Sequence, residues 1–226
     1  MNILSLDCAV TRISLAVKID SKFLSATYDI GMRQSEILVP SIDELLKKAE
    51  ISPSELNATA LTIGPGSFTG LRLGISALKA IELAYGVPVY GISSLEAYAF
   101  PYTNLGHPVI CCIDANKDKF YCRITDGEKT ILEDGDWEVE KITEAVSALD
   151  TALICGPDAV KLAEQLSAAL PQKKYLLPTT GAMTAESLIS ITEKMIESGK
   201  PALQDYDGPV YLRASEAELK LNSTNA

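Results

Sequence analysis

The alternation of apolar and polar positions in the first half of the chain predicts three strands, a helix, a strand, a helix and a further strand. Residues 13–19 alternate with period two, and the turn at 20–22 leads into a third strand that carries Phe23, Leu24 and Tyr28. This order is typical of an α/β fold. The predicted strands of this half are residues 1–8, 13–19, 22–29, 59–63 and 87–92.

The first predicted helix has two possible starting points. Ser35 can cap it, but Pro40 would then remove one helical hydrogen bond, and Ser41 with Glu44 forms a competing capping box. The helix therefore either kinks at Pro40 or begins there. Its apolar stripe consists of Ile37, Leu38, Ile42, Leu45, Leu46 and Ala49.

A glycine-rich turn precedes the second predicted helix, residues 71–85. Three glycines and Pro65 fix an unusual path at residues 63–70, Ser67 or Thr69 can cap the helix, and the free N–H groups there would suit an anion. The segment is not a Walker A loop. That motif needs Lys and then Ser or Thr after its last glycine, and here a leucine and an arginine follow.

Small residues recur along the second helix, at Gly70, Gly74, Ala77 and Ala80. A face of small residues lets another helix approach closely. The same residues also serve the packing of a helix on its own sheet. The spacing leaves both interpretations open, a partner surface and internal packing.

The second half repeats the pattern of the first. In each half the first strand ends at an acidic residue, Asp7 or Asp114, before a turn and an alternating second strand. Prolines and a glycine interrupt regular structure between residues 101 and 108. We therefore predict two tandem βββαβα domains, 1–105 and 106–226, with the last helix or tail able to pack back on the first and only 221–226 disordered. The second half has predicted strands at 108–113, 119–124, 129–132, 152–155 and 174–177, and helices at 137–149, 158–170 and 184–198.

Composition and charge narrow the possible partners. The chain has 226 residues, 47% hydrophobic and 22% charged, which suits one large or two small domains. Its net charge of −10, with no basic cluster, argues against a phosphate-binding surface of its own. No apolar run approaches the roughly 20 residues of a membrane span, and the first residues lack the basic region of a signal peptide. We expect a cytoplasmic protein that reaches nucleic acid only through a partner.

Five cysteines are predicted to be buried and reduced. They form no CxxC pair, and three of them alternate with aliphatic residues in strand-like runs, which favours core thiols over metal ligands or disulfides. They are Cys8, Cys111, Cys112, Cys122 and Cys155.

Five segments spread over nearly the whole chain carry the motifs of one known family: residues 3–9, 35–40, 64–74, 91–96 and 209–213. With these segments the chain resembles the TsaB family, also called YeaZ. That family is the smaller, non-catalytic relative of TsaD in bacterial synthesis of N6-threonylcarbamoyladenosine (t6A) at position 37 of tRNA. The tandem βββαβα pattern is that of the actin, Hsp70 and sugar-kinase superfamily. We therefore expect two tandem ribonuclease H-like domains of the α/β class.

The chain departs from TsaD in the residues that bind metal. TsaD carries an HxxxH motif before its first long helix, whereas residues 32–36 here contain no histidine. The single histidine, His107, lies at the predicted interdomain turn, where a structural or solvent-exposed role is favoured. Neither a metal-binding histidine pair nor a catalytic Ser/His or Cys/His pair with a metal can be assembled.

Two carboxylates and an acidic run are weaker candidates. Asp7 and Asp114 lie where this superfamily places carboxylates that hold a nucleotide-bound metal, but the residues after Asp7 lack the glycines that would wrap a phosphate. The favoured interpretation is a turn residue in both cases, with Asp7 kept as a weak cofactor-binding candidate. The acidic run at residues 133–136 is interpreted as a solvated loop.

The resemblance implies a subunit that binds and activates TsaD without catalytic residues, metal or cofactor of its own. ATP, Mg²⁺ and a TsaD-bound metal are expected only in the assembled complex, with the ATPase TsaE as a further partner. The first two helices are expected to form a four-helix interface with the equivalent helices of TsaD, or a homodimer when TsaD is absent. The expected interface residues are Ile37, Leu38, Ser41, Leu45, Gly70, Leu71, Gly74, Ala77, Leu78 and Ile81.

Two enzymatic functions remain as alternatives. One is a self-sufficient ATPase or kinase that uses Asp7 and the glycine-rich loop, and ATP turnover by the purified chain would separate it from the binding role. The other is a peptidase that cleaves TsaD, for which the sequence shows no nucleophile and base.

Overall fold

Two five-stranded sheets with the same strand order form the framework of the computed structural model, which describes residues 1–31, 33–179 and 184–213. The first sheet has the order β3-β2-β1-β4-β5 and the second β10-β9-β6-β7-β8. In both sheets the first three strands along the chain pair antiparallel and the last two add in parallel. The strands are β1 Ile3–Asp7, β2 Arg12–Ile19, β3 Lys22–Asp29, β4 Ala58–Gly64, β5 Val89–Ser93, β6 Val109–Asp114, β7 Lys119–Asp126, β8 Lys129–Glu138, β9 Thr151–Cys155 and β10 Lys174–Leu176.

This repeated topology confirms the predicted pair of ribonuclease H-like domains. The α-helices of the described ranges are α1 Gln34–Lys48, α2 Phe68–Tyr85, α3 Ser94–Ala99, α4 Val139–Val146, α5 Ala159–Ala169 and α6 Thr184–Glu197. Short 3-10 helices occur at Pro53–Glu55 and Phe100–Tyr102. The predicted disorder of the tail, 221–226, lies outside the described residues, and so does Met32 of the stretch compared with the TsaD metal motif.

Helix α1 runs through Pro40. It begins at Gln34, so a start at Pro40 is wrong, and its N-cap is Arg33 rather than a serine. Pro40 cannot donate to the carbonyl of Glu36, but both residues are exposed, so water can satisfy that carbonyl. The opposite side of the helix packs its apolar stripe into the core of the first domain.

Helix α6 belongs to the second half of the sequence but packs on the first sheet. It contacts β1, β2 and β4, where Ala185 and Ile189 pack against Ile3 in a buried cluster. The hydroxyl of Ser5 donates to the carbonyl of Ala185 at 2.6 Å. Helices α1 and α2 cover the other face of this sheet. The domain limits 1–105 and 106–226 stay a prediction.

The interpretation of residues 133–136 as a solvated loop is wrong. These residues lie inside β8, which continues to Glu138 and thereby shortens the helix predicted at 137–149. Alternation along a strand places Asp134 and Asp136 on one face. Asp134 pairs with Arg123 at 2.9 Å and Asp136 with Arg213 at 2.7 Å, so both carboxylates are held by guanidinium groups instead of water.

Candidate partner-binding surface

The glycine-rich loop packs against its own chain. Gly64 has φ +125°, a backbone conformation that only glycine adopts easily, and a Cβ added there would lie 2.3 Å from the carbonyl oxygen of Val210. A Cβ on Gly66 would lie 2.4 Å from the carbonyl oxygen of Ala9. The N–H of Ser67 donates to that same carbonyl at 2.7 Å. The glycines therefore permit close backbone approach within the molecule.

The small residues at the start of α2 face the first sheet. Ser67 caps the helix by accepting from the N–H of Gly70 at 3.2 Å. A Cβ on Gly70 would lie 2.0 Å from the carbonyl oxygen of Cys8, and one on Gly74 would lie 3.5 Å from Leu61. Of the two interpretations of this spacing, internal packing describes Gly70 and Gly74.

Most of the predicted interface residues are consequently buried within the chain. The physical reason is that the strongest apolar stripe of a helix faces its own sheet before it faces a partner. Ile37, Ala77 and Ile81 stay partly exposed. The buried members of the predicted set are Leu38, Ser41 and Leu45 of α1 and Gly70, Leu71, Gly74 and Leu78 of α2.

An apolar groove of about 660 Å³ lies between the outer sides of α1 and α2. Two of its side chains are large, apolar and more than half exposed, Val39 at 61% and Tyr85 at 52%. An exposed apolar surface with a polar rim is a candidate interaction site. The rim carries Asp43, Lys47 and Glu50, and the floor and walls include Val39, Ile42, Leu46, Ile51, Pro53, Ala77, Ala80, Ile81 and Tyr85.

A second stripe on each helix carries groove residues, of which the sequence interpretation included Ala77 and Ile81 and missed Val39, Asp43 and Tyr85. Ala77, Ile81 and Tyr85 recur every four residues along α2, and Val39 and Asp43 do so along α1. These stripes are shorter and less apolar than the buried ones, so periodicity alone did not select them.

Asp7 is a fully engaged buried carboxylate. Its Oδ1 accepts from the hydroxyl of Thr62 at 2.7 Å and from the N–H of Ala9 at 2.9 Å, and its Oδ2 accepts from the hydroxyl of Tyr98 at 2.9 Å. Burial, and then the Asp7 carboxylate, raises the pKa of Tyr98 well above its ordinary value, so the phenol stays a donor. This geometry is that of a structural turn residue, which ties the end of β1 to β4 and to α3.

Asp114 has a different environment at the equivalent turn of the second domain. Partial burial alone would raise its pKa, but hydrogen bonds from Lys161 at 2.6 Å and from the N–H of Asn116 at 2.8 Å hold the pKa below its ordinary value. Asp114 borders a polar cleft of about 600 Å³ between the two domains, which Ser67 and Arg213 also line. Its carboxylate is already neutralised by Lys161.

The cysteines lie in the core, as expected of buried thiols. Burial raises the pKa of the Cys8, Cys111, Cys112 and Cys122 thiols, which keeps them protonated. His107 lies in the loop before β6 and is partly exposed. In the three described ranges, no group of three or more His, Cys, Asp and Glu side chains is placed to hold a metal ion. No helix described here is both long and apolar enough to cross a membrane.

Comparisons with known proteins agree on one family. A family model described as TsaD, tRNA N6-adenosine threonylcarbamoyltransferase, matches residues 31–202. The tRNA threonylcarbamoyladenosine biosynthesis protein TsaB of Escherichia coli is 29% identical over 98% of this chain and 98% of its own length. TsaB of Bacillus subtilis is 24% identical over 97% of each chain.

A solved structure described as YeaZ from Pseudomonas aeruginosa has the same fold. It matches with a TM-score of 0.77 and 24% identity, over 93% of this chain and 99% of that one. Together with the two sheets of identical order and the family model that spans most of the sequence, these likenesses place the chain in the TsaD threonylcarbamoyltransferase family, among its TsaB/YeaZ members.

Proposed function

We propose that this chain is the accessory subunit that binds and activates TsaD during t6A formation in bacterial tRNA, and that it supplies no catalytic residue. The exposed apolar groove between α1 and α2 carries the proposal. The TsaB relatives, named for t6A biosynthesis, support the pathway, and the match to the TsaD family model supports a partner with equivalent helices.

The groove offers exposed apolar surface that a partner can cover. Val39 and Tyr85 are 61% and 52% exposed, so covering each would contribute at most about 1.5–3 kcal/mol, and the partly buried Ile81 would contribute less. A pair of helices fits a groove that two helices form, and it gives a four-helix interface. The apolar grooves of two copies of this chain can also face each other, which supports a homodimer when TsaD is absent.

In this proposal the complex with TsaD, and not this chain alone, binds nucleotide, metal and tRNA. Both oxygens of Asp7 accept hydrogen bonds from the chain itself, and the glycine-rich loop is packed against Ala9 and Val210. ATP, Mg²⁺ and a TsaD-bound metal therefore belong to the assembly with TsaD and TsaE. The net charge of −10 repels the tRNA phosphates, so we expect weak tRNA binding by this chain alone.

The decisive experiment compares two valines of equal exposure. Val39 in the groove is 61% exposed and Val160 on α5 is 60% exposed. Val39→Glu should weaken binding to the TsaD of the same organism at least about tenfold, or about 1.4 kcal/mol, and lower t6A formation by TsaD, TsaE and tRNA in parallel. Val160→Glu should change neither. Full affinity and full t6A formation with Val39→Glu would refute the groove as the binding site.

A further inference from the structure

One face of β8 joins the two domains through two carboxylates. Asp134 accepts from the hydroxyl of Ser93, at the end of β5 in the first sheet, and from Arg123 on β7. Asp136 receives a bidentate pair of hydrogen bonds from Arg213, at 2.7 and 2.8 Å. Residues of β5 and of the segment after α6 are thus held at the edge of the second sheet.

Residues 200–213, here called the strap, run along the first domain before they reach β8. The N–H of Leu203 donates to the carbonyl of Val89 at 2.7 Å, and Lys79 of α2 donates to the carbonyls of Leu203 and Gln204 at 3.2 and 3.0 Å. Further along, the N–H of Val210 donates to the carbonyl of Ile63 at 2.7 Å. The strap therefore follows α2 and the strand that leads into it.

The end of the strap contacts both domains within three residues. The ring of Tyr211 stacks on Phe68, the first residue of α2, with 4.8 Å between centroids. Arg72 covers Phe68 at 3.8 Å and donates to the hydroxyl of Tyr211 at 3.0 Å. Arg213 then reaches the second domain, where it binds Asp136 and donates to the carbonyl of Ala115 at 2.6 Å. It thereby lines the cleft between the domains.

We propose that residues 209–213 and Asp136 form a latch that fixes the second domain relative to α2. A bidentate guanidinium–carboxylate pair is directional, and this one is largely shielded from water, with the side chains 25% and 17% exposed. The aromatic stack at Tyr211 anchors the other end of the latch to the first turn of α2.

The latch also sets the position of the groove, a step that rests on the proposed function. Phe68 and Arg72 lie in the first turns of the helix whose later turns carry Ala77, Ile81 and Tyr85. Because α2 is one continuous helix from Phe68 to Tyr85, holding its first turns restricts the position of its outer side. Arg213 and Asp136 are then positioning residues for the partner, although neither lines the groove.

Hydrogen exchange on the full chain tests the latch directly. Arg213→Ala and Asp136→Asn should each lower protection about tenfold in both 63–72 and 113–121, because both segments lose one anchor. The double variant should be no worse than the stronger single variant, since both changes remove one interaction. Arg213→Lys keeps the charge but loses the bidentate hydrogen bonds to Asp136, so its loss of protection should be intermediate. The matched control is Lys141→Ala, which breaks the exposed pair with Glu144 on α4.

Two results would overturn the latch. One is loss of protection confined to 209–213 in every variant, and the other is unchanged exchange throughout. For the step to the groove, affinity for TsaD should fall at least about fivefold in Arg213→Ala. Unchanged affinity in Arg213→Ala together with weak binding by Val39→Glu overturns this step alone. Full affinity in both variants overturns the proposed function, while the exchange result still decides the latch.

Discussion

Small residues occur on both the inner and the outer face of α2, but they pack against the sheet on one face and leave open space on the other. On the inner face Gly70 and Gly74 let the helix approach β1 and β4, with Cβ positions that would meet Cys8 and Leu61. On the outer face Ala77 and Ile81 leave room beside α1, and that room is the apolar groove. A stripe of small residues therefore indicates close approach, but only burial shows whether the neighbour belongs to the same chain.

The inner face should give the largest effect on stability. Gly70→Ala adds a Cβ that would lie 2.0 Å from a backbone oxygen, so the backbone has to move, and we expect a loss of about 1–3 kcal/mol in the free energy of unfolding. Glycine to alanine inside an exposed helix has the opposite sign, a gain of about 1 kcal/mol. Urea unfolding measures the difference, and a stabilised Gly70→Ala would contradict the packing. Ser76→Ala on the exposed side of the same helix is the control.

The outer face should affect binding without affecting stability. Tyr85→Ala removes a groove side chain and should weaken TsaD binding by about 1–2 kcal/mol, as aromatic interface residues commonly do. Leu83, two residues earlier on the same helix, is 90% exposed and does not line the groove, so Leu83→Ala should bind normally. Titration calorimetry gives both affinities, and thermal unfolding should leave both variants close to the parent. Equal losses from the two changes would mean that the groove has no special role.

The N-cap of α2 should give the smallest effects on stability and on binding. Ser67→Ala removes the acceptor for the Gly70 N–H and should cost about 1 kcal/mol of stability. Its effect on TsaD affinity should stay below about twofold, because the change leaves the contacts of Phe68 and Arg72 with Tyr211 in place. Thr69→Ala, at the other candidate cap position, should change neither quantity. A cap variant that binds as weakly as Tyr85→Ala would mean that the cap, and not only the contacts with Tyr211, is needed to position the groove.

The fold was largely predictable because its signals are local. Alternation predicted the bounds of β2 and β3 to within one residue, and the repeated order of elements predicted two domains of the same kind. The six-residue helix α3 was missed because it is too short for a periodic stripe, and it depends on Ser93 as its cap. The sequence left two starts open for α1, and the structure has the earlier one. Pro40 is exposed, so its missing hydrogen bond costs little inside the helix.

The parts that sequence could not predict depend on residues far apart in the chain. Gly135 and three acidic neighbours look like a turn, yet the partners of Asp134 and Asp136 are 11, 41 and 77 residues away, at Arg123, Ser93 and Arg213. No local pattern contains those pairings. The groove was predicted only in part, with Ala77 and Ile81 but without Val39 and Tyr85. A helical stripe identifies an apolar face without showing which of two faces meets the sheet.

The return of α6 to the first sheet has a consequence for how the protein is made. Ile3, Ala16 and Ala58 lie on a face that α6 covers with Ala185 and Ile189, and these residues leave the ribosome long after β1 does. During synthesis this face is therefore unprotected while the whole second sheet is being translated. A chaperone that shields short apolar strands would be needed between the synthesis of β1 and that of α6. A nascent chain that stalls before residue 184 would keep this apolar face exposed and prone to aggregation.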